Sequence, residues 1–392
     1  SDAAYFTPAS GPLGVLGGST DIGSASYSGG SVTVSNLTYS EVGSIGLTAS
    51  ATGYLGTSGA DVSGVAVNAS TGIPTRVGRF YPSQFALVSS SLTPACSSGS
   101  FTYMDQPAFG LAYVLEARSS SGTVTTNYRS GSYTVGTVTL HAENADAGTD
   151  LGSRITGLPS ASWTLGQYSI SSTSATFSRA ASADGPYDSL VLGVSVTDAD
   201  GAKVASADMT ASGTGSCGSS CVARALNSGG STKVRFGRLR IGSALGAPQI
   251  DLPVPLTTEY WNGHGFVTNR DDACTRLTNT QFSFANFRSP LAACVTSGSP
   301  AGANGIVFSS GRATLRLGKP NVRGSVDLTA NLGSSESGNT CSAGASSVAT
   351  ASSKPWLQGN WSAATYDRNP AARAVFGLYT NTPDVIFLRE SY

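Results

Sequence analysis

Charged side chains are scarce in this sequence, at 12% of 392 residues, and it holds only two histidines and two methionines. Long helices with salt-bridged exposed faces need more charge than that, and imidazole-based metal centres need more histidine. Helical bundles, coiled coils and His-rich metal sites are the first classes excluded. Net charge is missing as well, because 23 basic residues cancel 23 acidic ones. No global field draws the chain to nucleic acid or to anionic lipid. No apolar run approaches the roughly 20 residues that span a bilayer, and the longest are strand-sized, such as Val385 to Leu388. No direct membrane span and no nucleic-acid partner are expected. Lysine is rare too, with Lys203, Lys233, Lys319 and Lys354 the only four, a bias that a GC-rich genome explains as readily as function does.

What the chain does contain is small residues: 48 glycines, and Ser plus Thr at about a quarter of the sequence. Hydrophobic residues still reach 40%, too many for a disordered chain and enough for more than one core. Their arrangement has a period of two. Val32 and Val34, Ile45 and Leu47, Phe109 to Leu115, and Leu190 to Val196 alternate with polar or small residues, as half-buried strands do. After Leu115 the turn Ser119 to Gly122 leads to a return strand at Val124, a predicted hairpin. The rhythm returns at Leu239 and Ile241, Leu315 and Leu317, Val326 and Leu328, Phe376 and Leu378, and Val385 and Phe387. Short strands set apart by turn signals, with almost no helical period, predict an all-β chain of tandem immunoglobulin-like β-sandwich domains supported by disulfides. The boundaries are an extended Gly/Ser-rich arm over 1–30, a β-rich segment over 31–78, a sandwich over 79–212, a Gly/Ser linker with CGSSC over 213–230, and a C-terminal sandwich over 231–392.

Six cysteines, at 96, 217, 221, 274, 294 and 341, are an even number without partners at zinc spacing, so disulfides are the expectation. Pairing by nearness joins Cys217 to Cys221 and Cys274 to Cys294, which leaves Cys96 for Cys341. Disulfides imply an oxidising compartment, at the cell surface or outside the cell. The chain starts at Ser1-Asp2 without Met, which fits a removed signal peptide, with export through the periplasm, or one part of a longer precursor.

Chemistry-bearing groups are few. Asp198 and Asp200, in Asp198-Ala199-Asp200-Gly201, resemble the start of a calcium loop without its distant Glu, and a β-turn accounts for the same residues. No other cofactor is expected. Tyr260, Trp261, His264, Trp356 and Trp361 are candidate ligand-binding residues, since a pyranose stacks on aromatic rings and polar neighbours take its hydroxyls; core packing is the plainer reading of a sandwich Trp. His264 could act as a general base oriented by Asp271 or Asp272, and Glu259 with either Asp is a nominal carboxylate pair. No GxSxG elbow supports a hydrolase, and the protein is read as a non-enzyme without catalytic residues. Arg235, Arg238 and Arg240 read as a solvated strand surface. Asn36, Asn68 and Asn360 sit in N-x-S/T sequons.

Several phrases keep the order found in one family. They are Val77-Gly78-Arg79-Phe80-Tyr81-Pro82, Phe101-Thr102-Tyr103-Met104-Asp105-Gln106-Pro107, Asp184-Gly185-Pro186-Tyr187 with Val196 to Gly201, and Phe236-Gly237-Arg238-Leu239-Arg240. Pro253-Val254-Pro255-Leu256 through Tyr260-Trp261-Asn262-Gly263, Asp271-Asp272-Ala273-Cys274, and the ending from Ala374 to Tyr379 with Phe387 to Tyr392 follow. Over residues 38 to 392 the chain resembles the C-terminal region of MshQ-like proteins, bacterial surface proteins named for biogenesis of the mannose-sensitive haemagglutinin pilus, a type IV pilus. It departs from the family phrase at Asp105, where Gly is expected. The resemblance implies pilus or other surface proteins as partners. It brings no catalytic residues, and the lectin-like domain that lies upstream in the family is not in this sequence. The reading is a non-enzymatic adhesin or structural part of a pilus or extracellular filament, with glycans as possible ligands. In a homopolymer the arm over 1–30 would add a strand to a neighbour's open sheet edge.

Overall fold

The computed structural model describes residues 12–22, 28–53, 56–67, 70–71, 75–131, 133–298, 305–341, 344–361 and 364–377. Among them the regular structure is all β, with single 3-10 turns and no α-helix. The chain divides into two units. The first takes the chain up to Thr93, Gly110–Ala175 and Ser189–Ser231; the second takes Pro94–Phe109, Thr176–Asp188 and the chain from Thr232. The second unit therefore includes two excursions, 94–109 and 176–188, that a division into consecutive blocks does not anticipate. The CGSSC segment, expected to be a linker, belongs to the first unit.

In the first unit the strand Phe109–Arg118 buries every second residue and pairs antiparallel with Gln84–Thr93, from Gln84 opposite Arg118 to Thr93 opposite Gly110. Gln167–Phe177 and Ile155–Thr156 complete that sheet. A second sheet pairs Thr137–Asn144 antiparallel with Tyr187–Thr197. Leu190, Leu192 and Val194 are wholly buried, and so are Phe85, Leu115 and Tyr128. Phe85, Tyr128 and Trp163 pack ring against ring at 5.0 to 5.5 Å. The return strand expected at Val124 is only a single bridge to Arg118, because beyond it the N–H groups of Thr126 and Asn127 donate to the Glu41 carboxylate and that of Ala117 to the Gly166 carbonyl. Val32 and Val34 lie outside any strand, and the strand expected at Val385 and Phe387 lies outside the described residues, as does Asn68.

The described part of the N-terminal arm is tied to its own chain. Leu16–Gly17 pairs antiparallel with Thr38–Tyr39, and the Gly14 and Val15 N–H groups donate to the Tyr39 and Ser40 hydroxyls, both at 2.8 Å. Next to this hairpin Glu41, only 6% exposed, accepts hydrogen bonds from the N–H groups of Val42, Thr126 and Asn127 and from the Thr126 hydroxyl. A buried carboxylate is tolerated only when its oxygens are satisfied in this way. Glu41→Ala leaves those donors unpaired, and we expect the first unit to lose about 2–3 kcal/mol. Chemical denaturation checks this; an unchanged midpoint would show that solvent replaces the carboxylate without cost.

The second unit is a sandwich with immunoglobulin-like strand order. Leu252–Trp261 pairs with Gly237–Ile241 through residues 256–260, and with Arg312–Leu317 and Phe266–Thr268 through successive stretches of its length. The facing sheet runs Phe282–Arg288, Gly324–Ala330, Ala371–Phe376, Ala244–Gly246. Its last pair is parallel, because the chain leaves one sheet at Ile241 and joins the other at Ala244, the strand switch typical of immunoglobulin-like sandwiches. Leu239, Val254, Leu315, Phe282, Leu328, Ala374 and Phe376 close the core from both sheets. Phe101–Tyr103, in one of the excursions, runs parallel to Thr232–Arg235.

The disulfides correct the pairing by nearness. Cys217 is bonded to Cys221, but Cys96 is bonded to Cys274 and Cys294 to Cys341. The reason is topological: the strand Phe282–Arg288 lies between Cys274 and Cys294 in sequence and belongs to the facing sheet. It carries the chain away from Cys274, whereas the 94–109 excursion brings Cys96 into the same unit as Cys274.

Candidate binding site

Tyr260 and Trp261 are neighbours on one strand, so their side chains leave opposite faces. The hairpin that follows closes with the Asn262 N–H donating to the Gly265 carbonyl at 3.0 Å, while the Asn262 side chain accepts from the N–H groups of His264 and Gly265 at 3.0 and 2.9 Å. Gly263 sits at φ 96°, a conformation that suits glycine. His264 is thereby exposed at the hairpin tip.

On the Trp261 side, aromatic rings and guanidinium groups alternate. Trp261 packs edge-on against Phe266 at 5.5 Å. Arg238 lies 3.8 Å from the centre of Phe266 and 4.5 Å from that of Trp361, and its Nε donates to Glu259 at 2.8 Å. Arg179 lies 3.9 Å over Phe236 and donates to the carbonyls of Gly237 and Gln358 at 2.6 and 3.1 Å. Burial pulls the Arg179 guanidinium down to about 10, with Asp105 acting against the shift. Each guanidinium covers a ring face that would otherwise be open. Trp356 packs against the sandwich core. Of the aromatic candidates the structure therefore brings together Trp261 and Trp361, through Phe266 and Arg238, and keeps Tyr260 and Trp356 apart from them.

On the other side Arg235 lies 4.2 Å from the centre of the Tyr260 ring. It is 6% exposed and pairs with Asp188 at 3.1 Å and Asp271 at 2.8 Å. Of the three arginines read as a solvated strand surface, only Arg240 is exposed; opposing carboxylates let the other two be covered. Arg235 also donates to Asn269 at 2.6 Å, Asn269 to the Tyr103 hydroxyl at 2.8 Å, and Tyr103 to the fully buried Asp272 at 3.0 Å. Partial desolvation pushes the Asp271 carboxyl up, but the Arg235 charge and the Lys233 hydrogen bond outweigh it and hold it below the ordinary carboxylate value. Arg235, Tyr260, Val267, Thr268, Arg270 and Asp271 line a cavity of about 410 Å³. Such a cavity offers an aromatic edge, a hydroxyl and both signs of charge to a polyhydroxylated ligand.

The general-base arrangement around His264 is not assembled. His264 is at an exposed tip, Asp272 is buried against Tyr103 and Thr275, and Glu259 is bound to Arg238 and Arg240. In the first unit, Asp198 accepts from the Tyr128 hydroxyl at 2.7 Å and from the Asp200 N–H at 3.0 Å, while Asp200 takes the Arg79 guanidinium. The two carboxylates offered to calcium are thus engaged in a turn and an ion pair, and among the described residues no group of three His, Cys, Asp or Glu could hold a metal ion. Arg179 is not singled out by the sequence, nor is Tyr366, whose ring lies 4.8 Å from Phe236 and 6.0 Å from Phe266; their roles depend on segments brought together from 176–188, 262–268 and 364–368.

Solved structures align at low similarity, among them three that follow. The adhesin InvE of Yersinia pseudotuberculosis is 11% identical over 74% of this chain and 59% of its own, with a TM-score of 0.21; this chain thus spans less than two thirds of that structure. The Escherichia coli adhesin FdeC is 11% identical over 89% and 87%, with a TM-score of 0.31. The D0-D1 domain of intimin is 13% identical over 76% and 99%, with a TM-score of 0.18. No curated protein matches in sequence. Residues 41–223 match the third domain of DUF6701 and residues 235–391 its fourth, and the chain belongs to the DUF6701 family.

Proposed function

We propose that this chain is a structural or adhesive part of a bacterial cell-surface or extracellular assembly, with a type IV pilus as the assembly suggested by its resemblance to MshQ-like proteins. The observation that carries this reading is the combination of two all-β units and three disulfides with no free cysteine. Such construction suits an oxidising exterior, and export through the periplasm follows from it. A surface of Ser, Thr and Gly with zero net charge favours packing against partners over dispersal. Those partners are other pilus or surface proteins, or further copies of this chain. The test is electron microscopy of the purified chain and of surface material from producing cells labelled with antibody to it. Decoration of pili or of the cell envelope is expected. Label confined to the cell interior would end the proposal, and filaments of the purified chain alone would make it a homopolymer subunit.

The cavity beside Tyr260 favours a second reading, carbohydrate binding. It moves the site from Trp261, whose neighbours are already packed, to the opposite face of the same strand. Tyr260→Ala is then expected to weaken glycan-array binding by tenfold or more, while Trp261→Ala weakens it less. Equal binding by the Tyr260 variant and the parent chain would remove this reading.

A further inference from the structure

The first unit contains a constellation that the sequence does not reveal and that the functional reading does not use. Thr137–Asn144 and Tyr187–Thr197 are antiparallel, with Thr139 opposite Ser195 and His141 opposite Gly193. His141 and Ser195 are therefore diagonal neighbours on one sheet face. That face is opposite the one that carries Leu190, Leu192 and Val194, and Met209 and Ala223 cover part of it at Gly193, so that Ser195 is 9% exposed. His141 Nε2 is 2.8 Å from Ser195 Oγ, and its Nδ1 is 2.6 Å from Asp150 Oδ2. Asp150 is fixed in turn by the N–H groups of Ala142 and Gly152, which donate to Oδ1 at 3.1 and 2.8 Å. Partial burial pushes its carboxyl up, but these bonds and the one from His141 outweigh that and leave it below the ordinary value. Ser195 also lines a cavity of about 240 Å³, together with Thr197, Lys203 and Val222.

We propose that Ser195, His141 and Asp150 form a nucleophilic triad that accepts an acyl group from a small carboxylic ester. An ionised Asp150 holds the proton on Nδ1, which leaves Nε2 to receive the Ser195 hydroxyl proton. Ser195 Oγ bonds to the acyl carbon of R–CO–OR′ as the carbon–OR′ bond breaks. The proton passes from Oγ to Nε2 and on to the departing alkoxide, giving R′OH and acyl-Ser195. Water attacks the acyl carbon by the same proton route, releases RCOOH and restores the hydroxyl. Ser195 and His141 are the catalytic residues and Asp150 is a positioning residue. The small cavity restricts the ester to short acyl groups, and with both Lys203 and Asp198 on its wall it sets no preference for the sign of their charge.

The full folded chain is treated with a fluorophosphonate probe and digested for mass spectrometry, and p-nitrophenyl acetate is used in parallel. An adduct on Ser195 and a stoichiometric burst of p-nitrophenolate are expected, both absent from urea-unfolded chain and from Ser195→Ala. His141→Ala should label about 10²–10⁴-fold more slowly. Asp150→Asn should slow labelling at least tenfold at an unchanged thermal midpoint, with partial rescue by Asp150→Glu. Absence of the Ser195 adduct in folded chain, or equal labelling in the His141 variant, would overturn the proposal.

Discussion

Replacing Cys96 and Cys274 together by serine lowers the stability of the second unit by about 5 kcal/mol, the largest loss expected from any of the three disulfide pairs. The bond joins residues 178 apart in sequence. In the chain-entropy account a cross-link stabilises by restricting the unfolded chain, and the effect grows with the logarithm of the loop. Cys294–Cys341, 47 apart, then contributes about 4 kcal/mol, and Cys217–Cys221, only 4 apart, about 2 kcal/mol. The native surroundings of Cys274 do not depend on the bond alone. The Asp272 carboxylate accepts from the N–H groups of Cys274 and Thr275 at 3.0 and 2.9 Å and holds that turn in place. The variant should therefore keep its fold at low temperature and fail at lower denaturant. Trp261, Trp356 and Trp361 report on the second unit and Trp163 on the first, so a Trp163→Phe background isolates the transition. A loss no greater than that from removing Cys217–Cys221 would show that native strain or residual unfolded structure cancels the long-loop term.

The same bond shows where the sequence stopped being legible. Period-two alternation is a local property, so Phe109 to Leu115 and Leu190 to Val196 announced their strands and their buried faces without any knowledge of partners. The pairing of Cys96 depends instead on the 94–109 excursion into the second unit, and nothing within a window of ten residues encodes that. The aromatic candidates divide between two faces for a related reason. Tyr260 and Trp261 look like one cluster in a string of letters, yet a strand sends consecutive side chains to opposite faces. Arg235 and Arg238 looked solvated because the carboxylates that neutralise them, Asp188, Asp271 and Glu259, come from other strands and turns. His141, Asp150 and Ser195 were invisible for the most physical reason: strand register alone sets Ser195 diagonal to His141.

Alkali should unfold the first unit in a narrow range above pH 10. Tyr113, Tyr128 and Tyr133 are 3%, 0% and 7% exposed, and burial is the main cause that pushes all three phenols well above their ordinary value. Tyr128 is raised further by its hydrogen bond to Asp198, and Tyr133 by the nearby charge of Asp200. The fold thus favours the neutral phenol. Below about pH 10 neither folded nor unfolded tyrosine ionises, and this contribution to stability is intact. Above it the unfolded chain releases protons that the folded chain keeps, so stability falls until the folded value is reached. Each such group removes about 1.4 kcal/mol per pH unit, and three together remove about 4 kcal/mol per unit. A reserve of about 5–10 kcal/mol is exhausted near pH 12. In the second unit Tyr103 is raised in the same way, by burial and by Asp272, and it adds about 1.4 kcal/mol per pH unit to that unit's alkaline slope. Tyrosinate absorbance near 295 nm and near-ultraviolet circular dichroism, followed together, separate the cases. The buried tyrosines should ionise only as the dichroism collapses. Reversible ionisation of every tyrosine near pH 10, with the dichroism retained, would mean that water reaches these rings and that the aromatic core around Tyr128 and Trp163 opens without unfolding the unit.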